Sequence, residues 1–176
     1  LNNIDVDRYS LRALAIILGG GMSSRLFQEI REKRGLCYSI FAQTGAYADS
    51  GMTTIYAGTG EDQLAELMTI TLDEMHRAAD DMNDQEVARA RAQMKAGMLM
   101  GLENPSSRTE RLARMVQIWG RVKSLDEAIE QIDAVTTADV RQFAANLVSK
   151  APAAMALYGP VSQGPALDAL KSRNAA

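Results

Sequence analysis

Residues 18–40 read LGGGMSSRLFQEIREKRGLCYSI and contain the change from helix to strand that decides the fold. Three glycines, Gly19–Gly21, follow apolar residues at helical spacing and stop the first helix. Ser23 or Ser24 then begins a second helix, which Gly35 ends, and the apolar residues that follow have the composition of a strand. The stretch therefore predicts a helix, a glycine corner, a second helix and a strand in immediate succession.

The glycine run lacks the pattern of a nucleotide-binding loop. A Walker loop needs a lysine and then a serine or threonine after its last glycine, and a dinucleotide loop lies between a strand and a helix. Here the glycines follow a helix and no lysine comes directly after them. A corner between two helices, where glycine permits sharp backbone angles, explains the run.

The remaining sequence predicts one antiparallel hairpin surrounded by helices. The hairpin joins 36–47 to 52–58 through a turn at residues 49–51, and a third strand is predicted over the apolar AAMALYGP at 153–160. The order indicates an α+β fold in which helices cover one face of a mostly antiparallel sheet. Because no strand precedes the first helix, we expect that the first strand of the sheet is missing. Apart from the second helix, the predicted helices span about 8–18, 61–80, 83–102 and 107–120, with two shorter ones opened by Ser124 and Thr136.

Pairs of polar residues predict where these helices begin. The pairs are Thr59 with Asp62, Asn83 with Glu86, Ser107 with Glu110, Ser124 with Glu127, and Thr136 with Asp139. Apolar spacing in the helix of 61–80 predicts an inward stripe of Leu64, Met68, Leu72, Met75 and Ala79.

Length and composition favour a folded globular domain. The 176 residues are 47% hydrophobic and 23% charged, which is close to the average of globular proteins. The net charge of −3 argues against a nucleic-acid partner, and no apolar run approaches the roughly 20 residues of a membrane helix. The first ten residues lack the basic and apolar regions of a signal peptide, so we expect a cytoplasmic location.

Side chains for metal binding or nucleophilic catalysis are scarce. Cys37 is the only cysteine and His76 the only histidine, so the chain can form neither a disulfide nor a two-histidine zinc site by itself. Cys37 is interpreted as a half-buried strand residue, and His76 as part of a solvated, acidic helix face beside Asp73 and Asp80. We therefore expect no metal or cofactor in this chain and no Ser-His-Asp catalysis.

Arg31 and Tyr38 are candidates for a binding role. Arg31 lies on the last turn of the second helix, and a chain reversal at Gly35 can bring the Tyr38 ring alongside the end of that helix. A guanidinium and a phenol on one edge can both donate hydrogen bonds to a carbonyl oxygen or an oxyanion. The alternative is that Arg31 pairs with a surface acid, Glu29 or Glu32. Tyr38 would then pack under the helix.

The opening stretch and YADSGMTTIYAGT, residues 47–59, resemble the C-terminal, non-catalytic half of the pitrilysin/insulinase-type zinc peptidases. That family includes the mitochondrial processing peptidases and short bacterial homologues. The resemblance continues through 88–115, 124–140 and the closing ALYGP at 156–160, so it covers nearly the whole chain. Family members carry an apolar strand just before this point, which agrees with the expected missing strand.

The resemblance implies one half of a two-domain clamshell. In the family, the catalytic half carries an H-x-x-E-H zinc motif, which this sequence lacks, and the other half closes a chamber around a peptide. An R-x6-Y pair of that other half reaches the substrate, and Arg31 and Tyr38 match this pair. The resemblance thus implies that both residues bind the peptide and that Tyr38 also supports the oxyanion in trans. It further implies that Gly20 and Gly21 contact the substrate, whereas a simple backbone corner is their alternative explanation.

The expected function is therefore that of the substrate-binding, chamber-closing half of a zinc-dependent endopeptidase, inactive in isolation. Residues 1–164 are expected to form the inactive domain and 165–176 a flexible tail. The expected partners are a peptide substrate, a catalytic half that holds the zinc, and a second copy paired through an exposed sheet edge, with no nucleic acid and no membrane. The alternative is a non-catalytic structural or peptide-binding module of the same fold, like the core subunits of the respiratory bc1 complex.

Overall fold

One helix and one β-hairpin lie at the centre of the computed structural model, which describes residues 7–47, 49–162 and 164–165. This is the α+β class predicted from the sequence, and no helix in the described ranges is long and apolar enough to span a membrane. The elements follow the chain as α1 (Arg8–Gly19), a short π-helix (Phe27–Glu32), β1 (Cys37–Ala46), β2 (Gly51–Thr59), a 3-10 turn (Glu61–Gln63), α2 (Leu64–Asp80), α3 (Asp84–Gly101), α4 (Pro105–Trp119), α5 (Leu125–Asp133) and α6 (Thr137–Lys150).

Helix α1 is almost entirely enclosed. Its sequence RYSLRALAIILG is apolar on most sides, and Arg12 is its one exposed residue, the others being buried or half-buried. A helix that is apolar nearly all round belongs inside a domain. It packs against β1, α3 and α6, so the hairpin and the helical layer share α1 as their common core element.

Strands β1 and β2 form the predicted antiparallel hairpin. The register places Ala42 opposite Ile55 and Phe41 opposite Tyr56. Ala42, Ile55 and Ala57 pack against the core, whereas Phe41 and Tyr56 are exposed. The hairpin therefore has one face on the helices and one face toward solvent, as the alternation of its sequence requires.

Gly19 allows α1 to touch β1. A Cβ atom built on Gly19 would lie 2.3 Å from the backbone nitrogen of Ala42 and 2.8 Å from the carbonyl carbon of Phe41. Backbone atoms cannot rotate away from such a clash, so any side chain here would push the helix off the strand. The predicted glycine corner is thus also a point of contact between helix and strand.

The predicted strand at 153–160 is wrong, because residues 152–158 adopt no regular structure. A strand needs a hydrogen-bonded neighbour as well as β-forming residues, and the described sheet contains only β1 and β2. Tyr158 is fully exposed. The expected missing first strand concerns the chain before α1, and residues 1–6 lie outside the described residues. Of the predicted tail at 165–176, only residue 165 is described.

Helix starts follow their capping residues. Side chains that the sequence predicts as caps accept backbone hydrogen bonds at the start of three helices, namely Asn83 with Glu86 for α3, Ser124 for α5, and Thr136 with Asp139 for α6.

Two predicted caps are wrong. Helix α4 begins at Pro105 instead of Ser107, because proline suits the first turn and the Asn104 side chain accepts a hydrogen bond from the Ser107 amide. Thr59 does not cap α2, since its hydroxyl donates to the carbonyl of Leu36 at 2.5 Å.

Replacing Gly19 with alanine should lower the free energy of unfolding by about 2–3 kcal/mol, because the new methyl group overlaps the β1 backbone. Gly97, on the solvent side of α3, is the matched control: a Cβ atom there meets nothing within 4 Å. Gly97→Ala should stabilise the chain by about 0.5–1 kcal/mol through helix propensity. Urea denaturation of both variants measures the two effects, and a Gly19→Ala variant as stable as the parent would contradict the close contact.

Candidate functional site

A glycine turn fixes the segment between the π-helix and β1. Gly35 has φ 64°, in the left-handed region that favours glycine. The Gly35 amide donates to the Arg31 carbonyl and the Leu36 amide donates to the Ile30 carbonyl, both at 3.0 Å. Ile30 and Leu36 are buried. The turn therefore holds the end of the helix and the start of the strand in one geometry.

Tyr38 is the extra residue of a β-bulge at the start of β1. Cys37 is paired with Thr59 and Ser39 with Gly58, so Tyr38 has no partner on β2. It is 86% exposed, so the alternative in which its ring packs under the helix is wrong. Bulges redirect side chains and are frequent beside active sites.

Arg31 lies next to Tyr38 and is weakly held. Its guanidinium carbon is 4.7 Å from the ring centroid of Phe27 and 5.6 Å from that of Tyr38. Its Nε atom is 3.8 Å from a carboxylate oxygen of Glu32, with both side chains more than a third exposed. Exposed pairs at this distance contribute little to stability, so the guanidinium keeps N–H donors for a ligand.

Gly20 and Gly21 lie at the opposite end of the helical segment from Arg31. The Gly20 carbonyl accepts a hydrogen bond from Nε2 of Gln93 at 2.7 Å. The Gly21 carbonyl accepts from the hydroxyl of Ser24 at 2.6 Å. These hydrogen bonds stabilise the corner between the two helical segments, and they do not place the two glycines beside Arg31 and Tyr38. Substrate contact by the glycines stays a prediction.

Cys37 lies on β1 and His76 on α2. Cys37 is buried on β1, where burial raises the pKa of its thiol despite the nearby charge of Arg31. A buried thiol with a raised pKa is a poor nucleophile, which agrees with its interpretation as a packing residue. His76 is half-buried on α2.

An ion cluster centred on Arg25 anchors the helical segment that carries Arg31. Atoms Nε and Nη2 of Arg25 donate to the two carboxylate oxygens of Glu86 at 2.6 and 2.8 Å. Its Nη1 atom donates to Asp81 at 2.5 Å and lies 4.0 Å from Glu74. Only 11% of the Arg25 side chain is exposed. A bidentate, largely buried guanidinium of this kind fixes position as well as charge.

The carboxylates of this Arg25 cluster differ in their electrostatics. Burial raises the pKa of Glu74, although the charges of Arg77 and Arg25 oppose the shift. Burial also disfavours ionisation of Asp81 and Glu86, but hydrogen bonds from Arg25 hold the pKa of both below its ordinary value. Arg25 therefore favours the charged form of Asp81 and Glu86, whereas Arg77 is the larger opposing charge at Glu74.

The sequence does not predict the Arg25 cluster. The apolar spacing of α2 predicts an inward face that is displaced by about one residue from the face that is buried in the structure, so Glu74 is not expected to point inward. The predicted stripe was Leu64, Met68, Leu72, Met75 and Ala79, whereas the buried residues are Leu64, Leu67, Glu74 and Ala78. A glutamate within an inward helical stripe is a signal that a buried cation lies opposite. Nothing in the spacing names Arg25 as that cation, since it lies 49 positions earlier in the chain.

The described residues form an α+β domain that presents Arg31 and Tyr38 side by side at its surface. Residues 2–94 match the family model described as the peptidase M16 inactive domain. An uncharacterised zinc protease of Streptomyces coelicolor is 37% identical over 162 residues, covering 92% of this chain and 35% of that protein. The uncharacterised zinc protease YmxG of Bacillus subtilis is 39% identical over 160 residues, covering 89% and 38%. The chain therefore belongs to the peptidase M16 family, and it spans little more than a third of the length of these relatives.

Solved structures share the fold. A chain of complex III2 from Candida albicans, with Inz-5 bound, aligns with a TM-score of 0.73 and 25% identity over 81% of this chain and 36% of that one. A protease from Helicobacter pylori aligns with a TM-score of 0.67 and 21% identity over 81% and 35%. The predicted resemblance to zinc peptidases of the pitrilysin/insulinase type is confirmed.

The names of the relatives imply zinc, and the donor set of the described residues does not fit a zinc site. No group of three or more His, Cys, Asp or Glu side chains able to hold a metal ion exists in the described part of the chain. The acidic residues around Arg25 are instead paired with guanidinium groups. No chemical step through zinc is therefore assigned to the residues of this chain.

Replacing Arg25 with methionine should lower the free energy of unfolding by about 3–5 kcal/mol, because buried carboxylates lose their partner. Arg121→Met is the matched control. Arg121 also donates two hydrogen bonds to one carboxylate, that of Glu127, but its side chain is 57% exposed and lies outside the cluster, so its loss should lower the stability far less. Urea denaturation at neutral pH compares the variants, and equal losses would show that Arg25 has no special anchoring role.

Proposed function

We propose that this chain is the substrate-binding, chamber-closing half of a zinc-dependent endopeptidase and acts with a catalytic half in the same or a separate polypeptide. The exposed pair of Arg31 and Tyr38, on a domain of the M16 inactive type, carries the proposal. The zinc proteases to which the chain is similar are almost three times as long as the matched region, which leaves room for a second half.

The chemistry of the pair suits peptide hydrolysis. A guanidinium presents several N–H donors in one plane, and a phenol adds an O–H donor. Arg31 orients the peptide through its backbone carbonyls. Tyr38 donates to the oxygen of the scissile carbonyl, which gains negative charge as its carbon becomes tetrahedral. Zinc bound by the catalytic half supplies the activation of water there.

A non-catalytic module of the same fold is the second candidate. The structural similarity to a chain of complex III2 favours it, because that chain is part of a multi-subunit complex and is not named as a protease. In such a module the surface of Arg31 and Tyr38 serves assembly or peptide binding without cleavage.

Zinc content and peptide hydrolysis of the complete gene product, including any sequence upstream of Leu1, separate the two candidates. Close to one zinc per polypeptide and cleavage that a chelator blocks support the single-chain peptidase. If the protein contains no zinc and does not cleave, either the catalytic half is a separate subunit or the chain is the non-catalytic module. Adding a catalytic subunit from the same organism then restores cleavage only if the catalytic half is a separate subunit.

Arg31→Ala and Tyr38→Phe should each lower kcat/KM of the assembled enzyme by about 10- to 1000-fold, the range expected for loss of one donor to an oxyanion. Lys33→Ala is the control, because Lys33 follows Arg31 closely but pairs with Glu29 and is mainly exposed. Steady-state cleavage of a fluorogenic peptide measures all three. Unchanged cleavage by both site variants would reject the assigned roles.

A further inference from the structure

The solvent side of the β-hairpin carries a row of exposed apolar side chains, which we call the outer face. Its members are between 40% and 86% exposed, and they are Tyr38, Phe41, Tyr47, Met52 and Tyr56. The other residues on this side of the two strands are serine, threonine, glutamine and glycine. A neutral face of this kind stands out in a chain with 23% charged residues.

The centre of the outer face is an ordered aromatic pair. Phe41 and Tyr56 are opposite each other in the register, with ring centroids 5.0 Å apart and ring planes 24° apart. The Tyr56 hydroxyl lies 3.7 Å from the position of a Cβ atom on Gly58, which is opposite Ser39. The Tyr56 side chain therefore extends along the strand toward the end of the hairpin at which Tyr38 stands.

The size of the outer face fits a peptide better than a globular partner. Tyr38, Phe41, Met52 and Tyr56 are 86%, 40%, 57% and 51% exposed. Side chains of this size bury about 200 Å² each, so these four and Tyr47, which is 57% exposed, together offer on the order of 600 Å². Stable protein complexes bury about 800 Å² per partner. Patches of about 300–600 Å² on a single domain are frequently functional.

We propose that the outer face binds apolar side chains, aromatic ones above all, of an extended polypeptide substrate; this inference rests on the proposed function. Phe41 follows Tyr38 by three positions, which corresponds to about 10 Å along a strand. An extended peptide covers that distance in about three residues. An apolar side chain about three residues from the carbonyl bound by Tyr38 therefore reaches the Phe41 and Tyr56 rings. The two strands themselves carry no charged residue that could pair with a charged side chain of the peptide.

Binding of labelled peptides to the complete gene product tests the proposal. The protein is treated with a chelator so that no peptide is cleaved. Two fluorescein-labelled peptides of glycine, serine and glutamine are compared, one with phenylalanine at two positions three residues apart and one with serine there. Fluorescence anisotropy gives the ratio of their dissociation constants, which reports selectivity independently of turnover.

The parent protein should prefer the phenylalanine peptide, and the double variant Phe41→Ser/Tyr56→Ser should reduce this preference by about 3- to 10-fold. Tyr158→Ser is the control, because Tyr158 is fully exposed outside the hairpin and should leave the preference unchanged. Phe41→Leu alone serves as a second variant, with a smaller loss, if the double variant fails to fold.

Equal binding of the two peptides by the parent, or an unchanged preference in the double variant, overturns the proposal. Sedimentation of the same proteins measures their state of association and so tests whether a protein partner, instead of a peptide, binds the outer face. If the double substitution dissociates a dimer or releases a catalytic subunit, a protein partner covers the outer face and the proposal is rejected. Cleavage that depends on Arg31 without a preference for phenylalanine keeps the proposed function and rejects the outer face. A preference for phenylalanine in a protein that does not cleave peptides even with an added catalytic subunit keeps the outer face as a peptide-binding surface and rejects the proposed function.

Discussion

The ion cluster of Arg25 is the contact on which the geometry of the candidate site depends. It joins the start of the segment carrying Arg31 to the end of α2 and the start of α3, where Glu86 also accepts a hydrogen bond from the Asn83 amide. The cluster is costly to break because it is largely buried. The Gly35 turn fixes the other end of the segment. Arg31 thus sits on a short helix clamped at both ends, although its own side-chain contacts are weak.

The hairpin is held from one side only. Its inner face rests on α1, and the contact is so close that Gly19 cannot carry a side chain. The outer face is on the opposite side of the hairpin, where its apolar side chains are exposed among the described residues. Tyr38 belongs to the same strand, but the bulge removes it from the regular pairing and exposes it. One rigid element therefore presents both a hydrogen-bond donor and an apolar surface.

Local signals in the sequence were sufficient for the hairpin, for most of the helices and for the proximity of Arg31 and Tyr38. Helix caps, strand alternation and the Gly35 turn are signals that act over a few residues. The predicted caps at Asn83, Ser124 and Thr136 are confirmed by their hydrogen bonds to the first turn of each helix. Long-range pairing is invisible at that scale. Arg25 meets Glu86 across 61 positions, so the cluster could not be predicted from spacing. The strand expected at 153–160 failed for the same reason, since β-forming residues do not show whether a neighbouring strand exists.

According to the proposed function, the chemistry of hydrolysis is divided between the surface of this chain and that of the catalytic half. This chain offers donors and apolar contacts, whereas activation of water belongs to the other half. Each surface alone is open to solvent, where a hydrogen bond to a peptide carbonyl only replaces one to water. Closing the two surfaces on a peptide excludes that water and strengthens the same donors. Arg31 and Tyr38 can therefore be exposed in the isolated chain and still act at a reaction centre, because their contribution arises only when the chamber closes.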